Sequence, residues 1–276
     1  MATITAQDIN KLRQATGAGM MDCRKALTET NGDFEAAIDW LRKQGQKVAA
    51  KRSDREAKEG VVIAKTTGDH KSGIVVCVSC ETDFVSKNQD FISFVQSIAD
   101  AAISSDVKTI DELKDTDVSG AKVSDLINDK LASIGEKIEL TKFERVDAPY
   151  VASYIHGANR IGVLVGLDKE ADEVGKNIAM QVAALSPVAV DSDSVPAEIV
   201  SREKAVIMDM MKDDPKMAGK PEEMLSKIAE GKLGAFFKEQ TLTAQAYVKD
   251  GGKSVADYLK ENGGVKVTGF KRVALG

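Results

Sequence analysis

Several chemistries are missing from this chain. It has no Gly-x-x-x-x-Gly-Lys-Ser/Thr loop, no Gly-x-Ser-x-Gly elbow and no His-Glu-x-x-His helix. Those absences exclude a P-loop hydrolase of its own and the common serine and zinc hydrolase layouts. Only His70 and His156 are present, so acid–base catalysis has few candidates. Cys23, Cys77 and Cys80 are an odd number in a long chain, and they imply no disulfide framework. Cys77-Val-Ser-Cys80 has the spacing of a redox or zinc pair, but residues three apart on a strand point to opposite faces. With no second pair to complete a site, these thiols read as buried and inert, and no metal or cofactor is expected. Aromatics are 5% of the chain and Lys/Arg blocks are absent, which argues against direct nucleic-acid binding. No apolar run approaches the roughly 20 residues of a membrane span. The opening residues Met1 to Asp8 lack the basic start and apolar stretch of a signal peptide, so a cytoplasmic protein is expected. What remains is a binding protein rather than an enzyme.

The chain has 276 residues, 43% hydrophobic and 29% charged, enough for two or three units each with its own core. The net charge of −5 is uneven. Residues 1–58 hold 11 Lys/Arg against 8 Asp/Glu, a net of +3, and the remainder carries −8. So slight an excess reads as a solvated helical face.

Residues 1–45 read as three short helices. Ile9, Leu12 and Ala15 share one face of the first, Met20, Cys23 and Leu27 follow at helical spacing in the second, and Phe34, Ile38 and Leu41 in the third. Gly17-Ala-Gly19 is a turn between helices, Asn31-Gly32-Asp33 a break and cap, and Gly45 the expected end. Residues 46–59 form a polar linker, helical in part.

An internal duplication organises the centre. Ile74–Cys80 aligns with Ile161–Leu167 at an offset of 87 residues, and Phe91, Val95 and Ile98 then fall on Ile178, Val182 and Leu185. Gly60–Lys65 and Tyr150–His156 supply a preceding strand to each copy. The expected fold is α+β, with two related hairpin-plus-helix subdomains at 60–146 and 147–276 packed together, because neither buries both sheet faces alone. Residues 106–135 read as helical and polar, and Ile138–Val146 as a returning strand. Val200–Met211 and Pro221–Glu239 are expected to form a projecting helical hairpin within 197–239, joined by Asp214-Pro215 and Gly219-Lys220. Its methionines (Met208, Met211, Met217, Met224) read as packing. The tail, 241–276, adds a helix at Val255–Lys260 and a strand at Val265–Val273.

The most informative stretch is Ile74-Val-Val-Cys-Val-Ser-Cys-Glu-Thr-Asp-Phe-Val85. An unbroken apolar run of this kind is a strand covered on both faces. It stops at Glu81, and Thr82 and Asp83 are residues that start helices. Phe84 at that corner either packs inward as a staple on its own helix or stands out beside a carboxylate as a wedge. The residues alone leave both open. Together with Thr16-Gly-Ala-Gly-Met-Met-Asp-Cys-Arg-Lys-Ala-Leu27, Ser153-Tyr-Ile-His-Gly157, Arg160-Ile-Gly-Val-Leu-Val165 and Val267-Thr-Gly-Phe270, the stretch resembles the bacterial elongation factor Ts family over nearly the whole chain.

That resemblance implies a ubiquitin-associated-like N-terminal bundle and a guanine-nucleotide exchange factor for elongation factor Tu, acting on its GDP-bound and nucleotide-free forms. It implies that Arg13, Met20 and Met21 dock on the partner's nucleotide domain, and that Thr82, Asp83, Phe84 and Val85 enter near its magnesium site. It places His156 and Gly157 against another partner domain, although His156-Gly-Ala-Asn159 departs from the family's usual turn. The helical hairpin at 197–239 would support a homodimer. The alternative function is a ubiquitin-associated-like adaptor or chaperone module, which leaves the duplicated body unexplained.

Overall fold

The computed structural model describes residues 4–51, 54–214, 217 and 220–276. Pro215 and Gly219, expected in the hairpin connection, and Met1–Thr3 lie outside the described residues. Three helices come first: α1 (Ala6–Thr16), α2 (Met20–Glu29) and α3 (Phe34–Lys51). Thr5 and Asp8 form a reciprocal capping box that starts α1, and Gly17 ends it in the left-handed conformation. Leu12, Cys23, Leu27 and Leu41 close the bundle's core. Met20, which shares the helical spacing of Cys23 and Leu27, stands out of that core, 52% exposed.

Gly45 does not end the third helix, which runs on to Lys51. The glycine has a tertiary role there: a Cβ at position 45 would sit 3.0 Å from Ala132 Cβ and 3.3 Å from the Asn128 carbonyl oxygen. The missing side chain lets α3 lie closely on α7 (Val123–Ile134), and Arg42 reaches Asp129 across the same contact at 3.8 Å.

The first sheet orders β1 (Glu59–Thr66), β2 (Ser72–Cys80) and β5 (Ile138–Asp147), all antiparallel. The second orders β10 (Val267–Ala274), β7 (Ile161–Leu167) and β6 (Tyr150–His156). The duplication therefore extends to a third strand, because β5 and β10 occupy matching edges. Ile74, Val76, Val78 and Cys80 face α5 (Gln89–Ser104), while Val75 and Cys77 face the other sheet. In the second copy Val163, Val165 and Leu167 face α8 (Asp172–Leu185), and Leu164 points to the shared interface. The order is helix, sheet, sheet, helix, and β2 is buried along its full length. Leu185 departs from the repeat and is 44% exposed: α8 ends there, whereas α5 continues past Ile98 to Ser104.

Residues 106–135 contain more than helix. After α6 (Ile110–Lys114), a minimal hairpin of β3 (Asp117–Val118) and β4 (Ala121–Lys122) leads into α7, whose Val123, Ile127 and Leu131 seal the first core. Helices α9 (Ala197–Lys212) and α10 (Glu222–Gln240) pack together through Ile207, Met211 and Leu233. Met211 is buried there, while Met208 and Met224 are exposed. A hairpin of β8 (Ala246–Tyr247) and β9 (Asp250–Ser254), then α11 (Val255–Glu261), complete the second core with Tyr247, Tyr258 and Leu259.

Gly162 makes the contact between the sheets possible, because a Cβ there would come within 2.7 Å of Val75 and 2.8 Å of Val62. Gly162→Val is expected to overpack this interface and lower stability by about 1–3 kcal/mol. A shift of the urea midpoint at constant slope checks it; an unchanged midpoint would show that the sheets part without cost.

Candidate functional site

The chain leaves β2 at Cys80 and makes a single helical turn, α4 (Asp83–Ser86), before Asn88 caps α5 through the Asp90 and Phe91 amides. Thr82 holds the N-cap position of α4, but neither its side chain nor that of Asp83 caps the turn. Both side chains are engaged elsewhere. The Thr82 amide donates to Glu136 Oε2 at 3.1 Å and its hydroxyl to Oε1 at 2.8 Å. The Lys137 amide in return donates to Glu81 Oε1 at 2.6 Å, and Arg55 Nη1 reaches Glu81 Oε2 at 3.0 Å. Lys137 Nζ donates back to the Arg55 carbonyl at 3.1 Å, and the Cys80 thiol to the Thr82 carbonyl at 3.2 Å. Glu81-Thr82 and Glu136-Lys137 thus exchange backbone donors and carboxylate acceptors, which are the stronger class of hydrogen bond.

The structure holds the outward of the two readings of Phe84. Val85 turns back and packs against the first core, while Phe84 stands 85% exposed at the tip of the turn. Asp83 beside it bonds Lys87 Nζ at 2.7 Å, and that hydrogen bond, with the ammonium charge, holds its carboxyl below the usual range. The corner therefore presents an apolar ring next to an ionised carboxylate.

Met20 and Met21 open α2, just after the turn at Gly17. Gly17, three residues before Met20, lies so close to α7 that a Cβ on it would be 3.7 Å from Ser133 Cβ. Ser133 is one turn before Glu136, and α7 closes at Gly135 with a left-handed cap. The Gly17 turn and the Thr82 corner therefore meet the same end of one helix. Met21 is 71% exposed, and Arg13, whose carbonyl caps the Gly17 amide at 2.8 Å, is also exposed.

His156 and Gly157 sit in the β6–β7 turn, where Gly157, Ala158 and Asn159 all take positive φ (64°, 52° and 66°). The Asn159 carbonyl accepts the Val62 amide at 2.8 Å, and Arg160 pairs with Glu59 at 2.6 Å. Glu59 lies opposite Cys80 in the ladder, so this turn adjoins the strand end that carries the corner. His156 is exposed, with Nδ1 3.0 Å from the Tyr154 hydroxyl.

Glu136, Lys137 and Arg55 are the residues that sequence reasoning passed over. Thr82 and Glu136 are 54 positions apart and no local pattern links them. The cysteines are free and buried, and burial together with the Glu136 and Glu59 charges pushes the Cys80 thiol up to about 12. No helix among the described residues is long and apolar enough to cross a membrane, and no cluster of His, Cys, Asp and Glu among them forms a metal site.

The family model described as Elongation factor TS matches residues 81–276. The elongation factor Ts of Christiangramia forsetii is 49% identical over 280 residues, covering all of both chains. That of Flavobacterium psychrophilum is 46% identical over the same span, again with full coverage, and that of Amoebophilus asiaticus 45% identical over 99% of each chain. The chain belongs to the elongation factor Ts family, a family of translation elongation factors.

Glu136→Ala removes both acceptors from Thr82 and is expected to lower stability by about 1–2 kcal/mol, less than for a fully buried charged acceptor; chemical unfolding measures it. None of the three thiols should alkylate in the native protein near pH 8 at the rate of a free cysteine, since Cys80 is protonated there and all are covered. Rapid labelling of Cys80 with iodoacetamide would contradict this.

Proposed function

We propose that this member of the elongation factor Ts family binds elongation factor Tu, both GDP-bound and nucleotide-free, and speeds the release of GDP and magnesium so that GTP can enter. Phe84 is the wedge and Asp83 competes for polar contacts around the metal, with Thr82 and Val85 fixing the turn that carries them. Arg13, Met20 and Met21 dock on the nucleotide domain, and the His156–Gly157 turn meets a second domain. The hairpin of α9 and α10 serves self-association, and the protein works in the cytoplasm without acid, base or cofactor of its own.

One observation carries this reading: Phe84 is 85% exposed on a turn locked from behind. A large aromatic left in water on a rigid support forfeits roughly 1.5–3 kcal/mol of burial that a partner can supply. Flexible thioethers at Met20 and Met21 suit an adaptable contact beside it. Exchange then requires only negative coupling, in which factor binding weakens nucleotide by the same ratio as nucleotide weakens factor. A coupling of about 3 kcal/mol gives a loss near 150-fold. Because Mg²⁺ neutralises the phosphates, disturbing its surroundings is an effective lever.

The test is release of fluorescent GDP from elongation factor Tu across magnesium concentrations. The chain is expected to accelerate release by orders of magnitude. Phe84→Ala is expected to lose at least tenfold of that acceleration, with an unfolding midpoint unchanged within error. A stable complex without acceleration would instead assign an adaptor role, and full acceleration by Phe84→Ala would remove the corner from the mechanism.

A further inference from the structure

Between the N-terminal bundle and the first subdomain lies a cavity of about 610 Å³, within the usual size range of small-ligand sites. Trp40 and Leu41 of α3 contribute to one wall and Phe94 of α5 to another. Each aromatic ring carries an ammonium: Lys25 Nζ is 5.7 Å from the Trp40 centroid, and Lys130 Nζ is 5.1 Å from that of Phe94. Arg42 and Asp129 face one another in the same lining at 3.8 Å, too far for a hydrogen bond. Lys25, Arg42 and Lys130 outnumber the lining acids Asp22 and Asp129 by one. Apolar walls with a single surplus cation match an amphipathic anion.

We infer that this cavity is a binding site for a small aromatic monoanion, its ring system against Trp40, Leu41 and Phe94 and its charge held by Lys25, Lys130 and Arg42. A phosphodianion or polyanion is disfavoured because Asp22 and Asp129 share the lining. A cation is disfavoured because Lys25, Arg42 and Lys130 already leave the lining with a surplus of positive charge. Since the walls come from both the bundle and the subdomain, the ligand binds only the docked arrangement and stabilises it by mass action. The inference is independent of the proposed exchange activity.

Trp40 is the only tryptophan in the chain and lines the cavity, so its emission reports occupancy directly. The full-length protein is titrated with 1-anilinonaphthalene-8-sulfonate, an aromatic monoanion, and in parallel with N-phenyl-1-naphthylamine, the same ring system without the charge. The expected result is saturable one-to-one binding with quenching of Trp40, at least tenfold tighter for the anion. The double variant Lys25→Glu, Lys130→Glu is expected to weaken the anion at least tenfold. Absence of saturable binding, binding without a Trp40 response, or equal affinity for the neutral analogue would each overturn the site. The last comparison uses the unmodified chain, so the inference stays testable even if the double variant unfolds.

Discussion

Cys80 and Ile138 face one another across the β2–β5 ladder, and much of the molecule is placed by that register. The chain must leave the sheet after Cys80 and return beside it before Ile138. The start of the excursion, Glu81-Thr82, and its end, Glu136-Lys137, are therefore side by side. Each supplies the carboxylate that the other's amide needs, so two adjacent strand ends become one closed corner. α7 is the last helix of the excursion and is fixed at its C-terminal end by the same closure. α3 rests on α7 at Gly45, and the Gly17 turn touches it at Ser133. The bundle, the corner and the sheet are thus positioned by one pairing.

The consequence is a rigid presentation. A single exposed apolar side chain on a protein surface ordinarily needs no explanation. Phe84 differs because its backbone is held from two sides and its neighbour Val85 is drawn into the core. A turn whose backbone does not have to be ordered on binding retains more of the ring's contact energy. A carboxylate adjoins it, and its ion pair with Lys87 holds it in the charged form. In the proposed function these properties let the factor favour one state of its partner, which is all that exchange requires.

Much of the fold was legible in the sequence because it is written in short-range periods. The run from Ile74 to Cys80 is covered throughout and apolar at all but Ser79, and the offset of 87 residues to Ile161 carries the second copy with it. The bundle's helices follow from their own spacing and from glycine turns. Where the reading diverged, the cause lay outside the local period. Gly45 looks like a stop but is a close-packing point within a helix. Leu185, which the repeat aligns with core positions, is turned out by the end of its helix. The two-residue strands β3 and β4 are too short to leave a pattern. The direction of Phe84 is undetermined by the local pattern, and the contacts that brace its turn join residues 54 positions apart.

The central claim is that Glu136 acts at a distance by positioning Phe84. A double-mutant cycle on GDP release tests it most directly, using Glu136→Ala and Phe84→Ala singly and together. The account predicts that Glu136→Ala slows exchange when Phe84 is present and adds nothing once Phe84 is gone. Fully additive effects would contradict it, since the clamp and the ring would then contribute separately.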